Sequence, residues 1–442
     1  MTNEAATTKV LSDALRWQEK GTPELTPLQV ASTVARLEGG AEQEGISLEE
    51  YVLKLVDKMD VSSPRPDTAS CFWSWQVEVD HPTDPEKGKV QIYNQHIARA
   101  YTDLENEVVE DSMRYLEGTP GGQELSGLYL WDRDVQAGLH LNVNTNEGNE
   151  FAGRIWSALS KRYAQEVGGE ALFFMEELNP GAVAYQTEAP QLRRDGKLDQ
   201  VHFMYPLSPQ KLEGFPPEIQ ELLSSDTVRA QVHTFPYDEK TSRYTPTPLT
   251  EAGYLDLDHL RSLGTPEAQR AAVLEVCARV AMMDGREADA EQLIGEIQTL
   301  APEHEVAMPD STALAWAASE RMKDSPEQSV STHGEFLPGV EVNGSVGPVQ
   351  PQPLKGSAQA LTADFMPGVA TEQTVKPEQA PATAPAAKAE TQAAKPAMSV
   401  PVWQVGLNAV PTKLTTAPSG PSTAPSSHAP NLGKETAETG LG

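Results

Sequence analysis

The chain of 442 residues carries 64 acidic and 34 basic side chains, a formal net charge of -30. That balance lacks the clustered Lys and Arg needed to displace counterions from a phosphate backbone, so no nucleic-acid partner is expected. No run of about 18 apolar residues offers a membrane span, no apolar h-region marks a secretory signal, and the two cysteines, Cys71 and Cys277, form neither a disulfide framework nor a metal-ligand spacing; a reducing, cytoplasmic setting is expected.

The first stretch, 1–70, reads as a helical N-terminal region. "TTKVLSDALRWQEKG" ends at Gly21, and "TPLQVASTVARLEGG" opens on Thr26 as a cap with Pro27 in the first turn and stops at Gly39 and Gly40. "SLEEYVLKLVDKMD" then sets Val52, Leu55, Val56 and Met59 at helical spacing behind Ser47. In the next region, 71–210, the period alternates. "KVQIY", Lys89 to Tyr93, is a short strand, and "NQHIARAYTDLENEVVEDSMRYLEG" is helical, with Ile97, Ala100, Tyr101, Leu104, Val108 and Met113 on one stripe and Gly118 closing it. The turn-rich "TPGGQELSG", a helix from about Glu150 to Val167, and the strands "ALFFM" and "QVHFMYPL" follow. Strand and helix in alternation predict an α/β fold, a small parallel sheet with flanking helices, whose ligands sit beyond the carboxyl ends of the strands.

Region 211–324 is expected to be mostly helical, led by "EAQRAAVLEVCARVAMMDGREADAEQLIGEIQTLAP". Its "DGREADAE" lacks the D-x-[DN]-x-[DN]-G ligand order, so no calcium loop is expected. The tail, 325–442, is rich in Pro, Ala, Ser and Thr and has too few apolar residues to offset chain entropy, which predicts disorder. Within it "SVPVWQVGLNAVPTKL", Ser399 to Leu414, is either a stray apolar patch or a docking motif for a partner or secretion chaperone.

The chemistry-bearing residues cluster around "FAGRIWSALSKRYAQEVGGEALFFMEELNPGAVAYQTEAPQL", Phe151 to Leu192. Ile155, Leu159, Tyr163 and Val167 make a core stripe, and Trp156, Ser160 and Ala164 the stripe beside it. This pattern sets Trp156 in the first turn of its helix, near the mouth of a cleft. Glu188 falls between regular elements, Glu117 ends the helix before the Gly-rich turn, and Tyr93 ends a strand; all three can reach the carboxyl edge. An aromatic face beside one or two carboxylates suits a cationic heteroaromatic on a sugar, because Trp stacks on the cation and a carboxylate stabilises the charge that develops as the glycosidic bond breaks. Nicotinamide on the ribose of NAD is such a group. The same residues also fit plain roles: Trp156 in the core, Glu188 as a solvated loop acid, Glu117 at a helix end, Ser160 bonding back to the preceding turn. "TPGGQELSG" lacks both G-x-G-x-x-G and the Walker lysine and is not read as a nucleotide loop.

At these residues the sequence resembles the ADP-ribosyl cyclase and NAD glycohydrolase family, including related domains of bacterial toxins. "RYLEGTPGGQELSGLYLW" resembles the family's LExTxxG turn, "RIWSALSKRYAQEVGGEALFFM" its Trp-bearing helix leading into a strand, and "GAVAYQTEAPQL" the segment that reaches the catalytic Glu shortly before a Leu. The likeness spans roughly Lys89 to Leu207, with the motifs in the family's order. It implies that Glu188 is the catalytic carboxylate and Trp156 an aromatic wall of the nicotinamide–ribose pocket. It further implies that Ser160 bonds ribose or phosphate, and that Glu117 is a second acid that holds nicotinamide and biases the intermediate between water and cyclisation. Tyr93 falls where the family has a second aromatic wall, with Tyr101 as a competitor.

Two departures shape the expectation. Animal members carry several disulfides that Cys71 and Cys277 cannot reproduce, and Gly118 stands where they commonly have an acid. The resemblance therefore implies an NAD glycohydrolase of bacterial toxin type, with NAD as substrate, no cofactor, and cyclic ADP-ribose as a side product. An immunity protein or secretion chaperone would be its partner, and delivery as an effector its route. The other reading is an inactive module that binds NAD or ADP-ribose while its tail recruits partners.

Overall fold

The computed structural model describes residues 3–21, 23–236 and 246–323. The expected disordered tail, 325–442, and its Ser399–Leu414 motif lie outside the described residues. Three helices open the chain: α1 (Asn3–Lys20), α2 (Pro27–Glu44) and α3 (Leu48–Val56). Thr26 and Ser47 each close a capping box on the helix that follows, through Gln29 and Glu50 respectively, which satisfies backbone donors that the first turn leaves open.

The central sheet has four parallel strands in the order β4-β1-β5-β6, where β1 is Ala69–Trp73, β4 Met113–Tyr115, β5 Ala171–Phe174 and β6 Val201–Phe203. Ser70 is in register with Arg114 on one side and Ala171 on the other, and Ala171 with Val201. β5, Ala-Leu-Phe-Phe, is an unbroken apolar run buried along its whole length, as befits a central strand covered on both faces. On one face α7 (Glu147–Gln165), with α2 and α3, packs Leu37, Val52, Ile155, Leu159 and Tyr163 against Phe72, Phe173 and Phe203. On the other, α1 and α4 (Asn94–Val108) bring Val10, Ala14, Ile97 and Tyr101 against Cys71, Leu172 and Phe174. The N-terminal helices thus share both cores with the sheet.

Two expected elements differ. "KVQIY" is not in the parallel sheet: as β3 (Lys89–Tyr93) it pairs antiparallel with β2 (Gln76–Asp80), Gln76 opposite Tyr93 and Asp80 opposite Lys89. Only Ile92 of β3 is buried, the alternation of a hairpin with one covered face. Nor does the following helix run to Gly118. It stops at Val108, because Asp111 turns left-handed at φ 58 and the Asn106 side chain bonds both the N–H and the carbonyl of Met113, which starts a strand where helical spacing continues only by coincidence.

The sheet reverses its direction of growth between β1 and β5: from β1 the chain crosses to β4 on one side, then returns to β5 on the other. Such a switch point opens a crevice at the carboxyl ends of the strands. After β6 the chain is mostly helical, with Ile219, Leu223, Val228, Leu260, Val273 and Val276 in a third core. That region is tied to the sheet by a buried ion pair between Arg193 and Asp284, and Arg193 also donates to the Ala230 carbonyl. The described residues up to Ala317 belong to one compact unit. Both cysteines are buried free thiols, which burial pushes up to about 12, so neither is reactive. Among the described residues no helix is long and apolar enough to cross a membrane.

Candidate active site

Glu188 closes a π-helical turn, Ala184–Glu188, that runs without a break into α8 (Ala189–Arg194). Such turns are rare and recur at functional sites. The expected loop acid is thus a helical one and is 7 % exposed. Its turn is held from behind, since the Tyr185 hydroxyl donates to the Leu249 carbonyl and Arg193 anchors α8. Burial pushes the Glu188 carboxyl up to about 8, a hydrogen bond from Ser160 partly offsets that, and the charge of Glu117 adds to it. The chain therefore brings together three residues that lie 43 and 28 positions apart along it, from Glu117 to Ser160 and from Ser160 to Glu188.

Glu117 sits in the 3-10 turn Leu116–Gly118 directly after β4, on the carboxyl edge, rather than at a helix end. Its carboxyl is also held above the usual range by burial, offset by its own backbone N–H, the Trp73 indole and the Gln95 amide. Trp73 Nε1 donates to Glu117 Oε2 at 3.3 Å. The turn is fixed by α5 (Pro120–Ser126), capped by Thr119. A Cβ at Gly122 would lie 1.9 Å from the Leu116 carbonyl oxygen and 2.8 Å from Glu117 Cα. The Gly-rich stretch therefore lets a helix press against the backbone that carries Glu117.

Trp156 and Ser160 share a stripe of α7 one turn apart. Because α7 begins at Glu147, Trp156 is in mid-helix and not in the first turn. It is half-buried, packed on the core that contains Ile155 and Leu159. As the crossover helix that leads into β5, α7 runs back along the sheet, so Trp156 lies nearer the carboxyl edge than the buried Ser160 does.

Tyr93 is the N-cap residue of α4, 52 % exposed and edge-on to His96, two residues before the Gln95 whose amide bonds Glu117, and Tyr101 is buried edge-on to Phe174 in the core. The aromatic residue that meets the second acid is Trp73, at the end of β1. Sequence reasoning missed it because "ASCFW" is a short run mixing Ser and Cys with aromatics. The signal available was a strand-length apolar run followed by the turn residues of "SWQ".

Taken together, the fold and these residues define an α/β protein with a small parallel sheet, in which Glu117, bonded by Trp73, follows β4 and acts on the buried Glu188 of the turn that precedes α8. No family model, curated protein or solved structure matches the chain.

Proposed function

We propose that this protein cleaves the nicotinamide–ribosyl bond of NAD and passes the ribosyl group to water, giving nicotinamide and ADP-ribose, with cyclisation as a minor outcome. The observation that carries this reading is the Glu188 carboxyl, buried at the end of a π-helical turn and held above its ordinary range, with Ser160 and Glu117 among the groups that act on it.

Two carboxyls that are both held above their ordinary range, one acting on the other, are short of positive charge. An arriving nicotinamide–ribose cation supplies it and draws Glu188 into its ionised form. As the C1′–N bond breaks, its electron pair leaves with neutral nicotinamide and positive charge spreads over C1′ and the ring oxygen. A carboxylate fixed beneath that centre stabilises the transition state more than the ground state. Water then attacks C1′ and gives up a proton, which the carboxylate can accept. Trp156 provides a stacking face, and Glu117, oriented by Trp73, holds the leaving base.

The binding-only reading keeps one observation in its favour: a carboxyl with its midpoint near 8 is mostly neutral in the empty site at pH 7. Incubation of the purified chain with NAD separates the two. Steady release of nicotinamide that is lost in Glu188→Gln supports the enzyme, whereas tight ADP-ribose binding without release supports the module. An immunity protein and delivery as an effector remain part of the toxin-like reading. A neighbouring gene whose product binds this chain and blocks nicotinamide release would support both.

A further inference from the structure

A concavity lies at the carboxyl edge of the sheet. It is a cleft of about 630 Å³ walled by the residues that follow β1, β5 and β6 and by the outer strand β2, and it includes none of Glu117, Trp156, Ser160 and Glu188. Its volume is within the range of small-ligand pockets, roughly 300 to 1,000 Å³. Two large rings line it, Trp75, 49 % exposed, and Phe235, 39 % exposed, the latter with the Lys211 ammonium 4.5 Å from its ring centre, which shows that this wall already accepts a cation on an aromatic face.

The charge of the wall is one-sided. Glu78, Asp80, Glu176 and Glu177 all line the cleft. Lys89 pairs with Glu78 at 2.8 Å, and Lys211 pairs with Glu176 at 3.6 Å and with Glu177. Two lysines therefore face four carboxylates. The nearby Arg229 is committed to the Glu176 and Tyr205 carbonyls and to Asp226. Glu177 is more than nine-tenths buried; its Oε2 accepts from the Thr234 N–H and hydroxyl, and its Oε1 pairs with the Lys211 ammonium.

Such a cleft repels the diphosphate of a dinucleotide. What it suits is a cation whose apolar surface can lie on aromatic faces while carboxylates balance its charge, the arrangement that recognises alkylammonium groups. We propose that the Trp75–Phe235 cleft is a binding site for a small organic cation of the alkylammonium class, separate from the Glu188 site. The inference does not depend on NAD cleavage.

Acetylcholine and its neutral carbon isostere, 3,3-dimethylbutyl acetate, make the test, by calorimetric titration of the full chain. The expected result is saturable binding of acetylcholine and binding of the isostere at least roughly tenfold weaker. Phe235→Ala, Glu176→Gln and Trp75→Asn should each weaken acetylcholine about two- to thirty-fold, and Glu188→Gln should leave its binding unchanged. Asn is chosen at position 75 because the backbone there is left-handed, φ 57, which Asn tolerates. Circular dichroism and melting of each variant identify one that fails to fold, and the other two then carry the comparison. Absence of saturable binding, equal binding of the isostere, or loss in Glu188→Gln with no loss in the folded cleft variants would overturn the proposal.

Discussion

Replacing Glu188 with Gln should make the protein more stable while removing its activity, and the stability gain should depend on pH in a defined way. In the folded chain the carboxyl is held at about 8 against an ordinary 4.5, whereas in the unfolded chain it ionises near its ordinary value. The folded state then binds the proton more tightly than the unfolded state. The wild-type protein loses stability as pH rises from 4.5 to 8, and loses no more from this group above that. At about 1.4 kcal/mol per pH unit, the loss is on the order of 3 kcal/mol at pH 7 and 5 kcal/mol at pH 9. Gln cannot ionise and is spared all of it. Its difference in unfolding free energy from wild type should be small at pH 4.5 and should grow toward those values. Urea denaturation of the two proteins at pH 5, 7 and 9 measures this. A constant difference across the three, or a variant less stable than wild type at pH 9, would show that the carboxyl is not desolvated as the fold requires.

The same substitution tests the chemistry independently. Removing one aimed electrostatic partner costs typically about 2.7 to 4 kcal/mol of transition-state stabilisation, or roughly 100- to 1,000-fold in turnover. Nicotinamide release should fall by that factor while NAD affinity changes much less, and wild-type kcat/KM should rise with pH as the free enzyme's Glu188 ionises. A Glu188→Gln protein that releases nicotinamide at the wild-type rate removes the proposed mechanism even if the stability prediction holds.

Other substitutions separate positioning from packing. Trp156→Ala should raise KM for NAD about two- to thirty-fold; because the side chain is half-buried, melting beside kinetics is needed, and a loss of about 3 kcal/mol or more of stability with unchanged KM would assign it to the core. Glu117→Gln should alter the ratio of cyclic product to ADP-ribose, read by chromatography, without abolishing nicotinamide release. Trp73→Phe takes away an indole hydrogen bond that lowers the Glu117 carboxyl, so Glu117 should titrate higher, visible as an alkaline shift in the pH dependence of the product ratio. Gly122→Ala forces a methyl into the Leu116 carbonyl and should cost about 1 to 3 kcal/mol of stability along with any effect of Glu117; wild-type melting and product ratio together would show that the turn yields freely.

The elements legible in the sequence are those whose signal is local. Thr26 and Ser47 announce their helices by capping chemistry, and "ALFFM" and "QVHFMYPL" are apolar runs long enough to be strands. The sheet's other two strands were not legible. β4 spans only Met113–Tyr115, and its Met falls by chance on the stripe of the helix before it. β1 gains its identity from lying between β4 and β5, which depends on strand order and leaves no trace in spacing.

The same distinction governs the site. Trp156 and Ser160 can be paired from helical periodicity alone, since four residues make one turn. Pairing Ser160 with Glu188, and Glu188 with Glu117, depends on three segments converging at one edge, and only the ordered family-like motifs hinted at it. Tyr93 is expected at the carboxyl edge only if "KVQIY" lies in the main sheet. Once that strand turns out into a hairpin, its last residue turns out with it, and the position at the sheet's edge falls to the last residue of the strand that is central. That residue is Trp73, and its indole N–H is directed at Glu117. An error of one strand in the topology thus hides the aromatic partner of Glu117, and the acids differ from expectation too: Glu117 stands in a 3-10 turn after β4 and not at a helix end, and Glu188 in a π-helical turn and not in a loop.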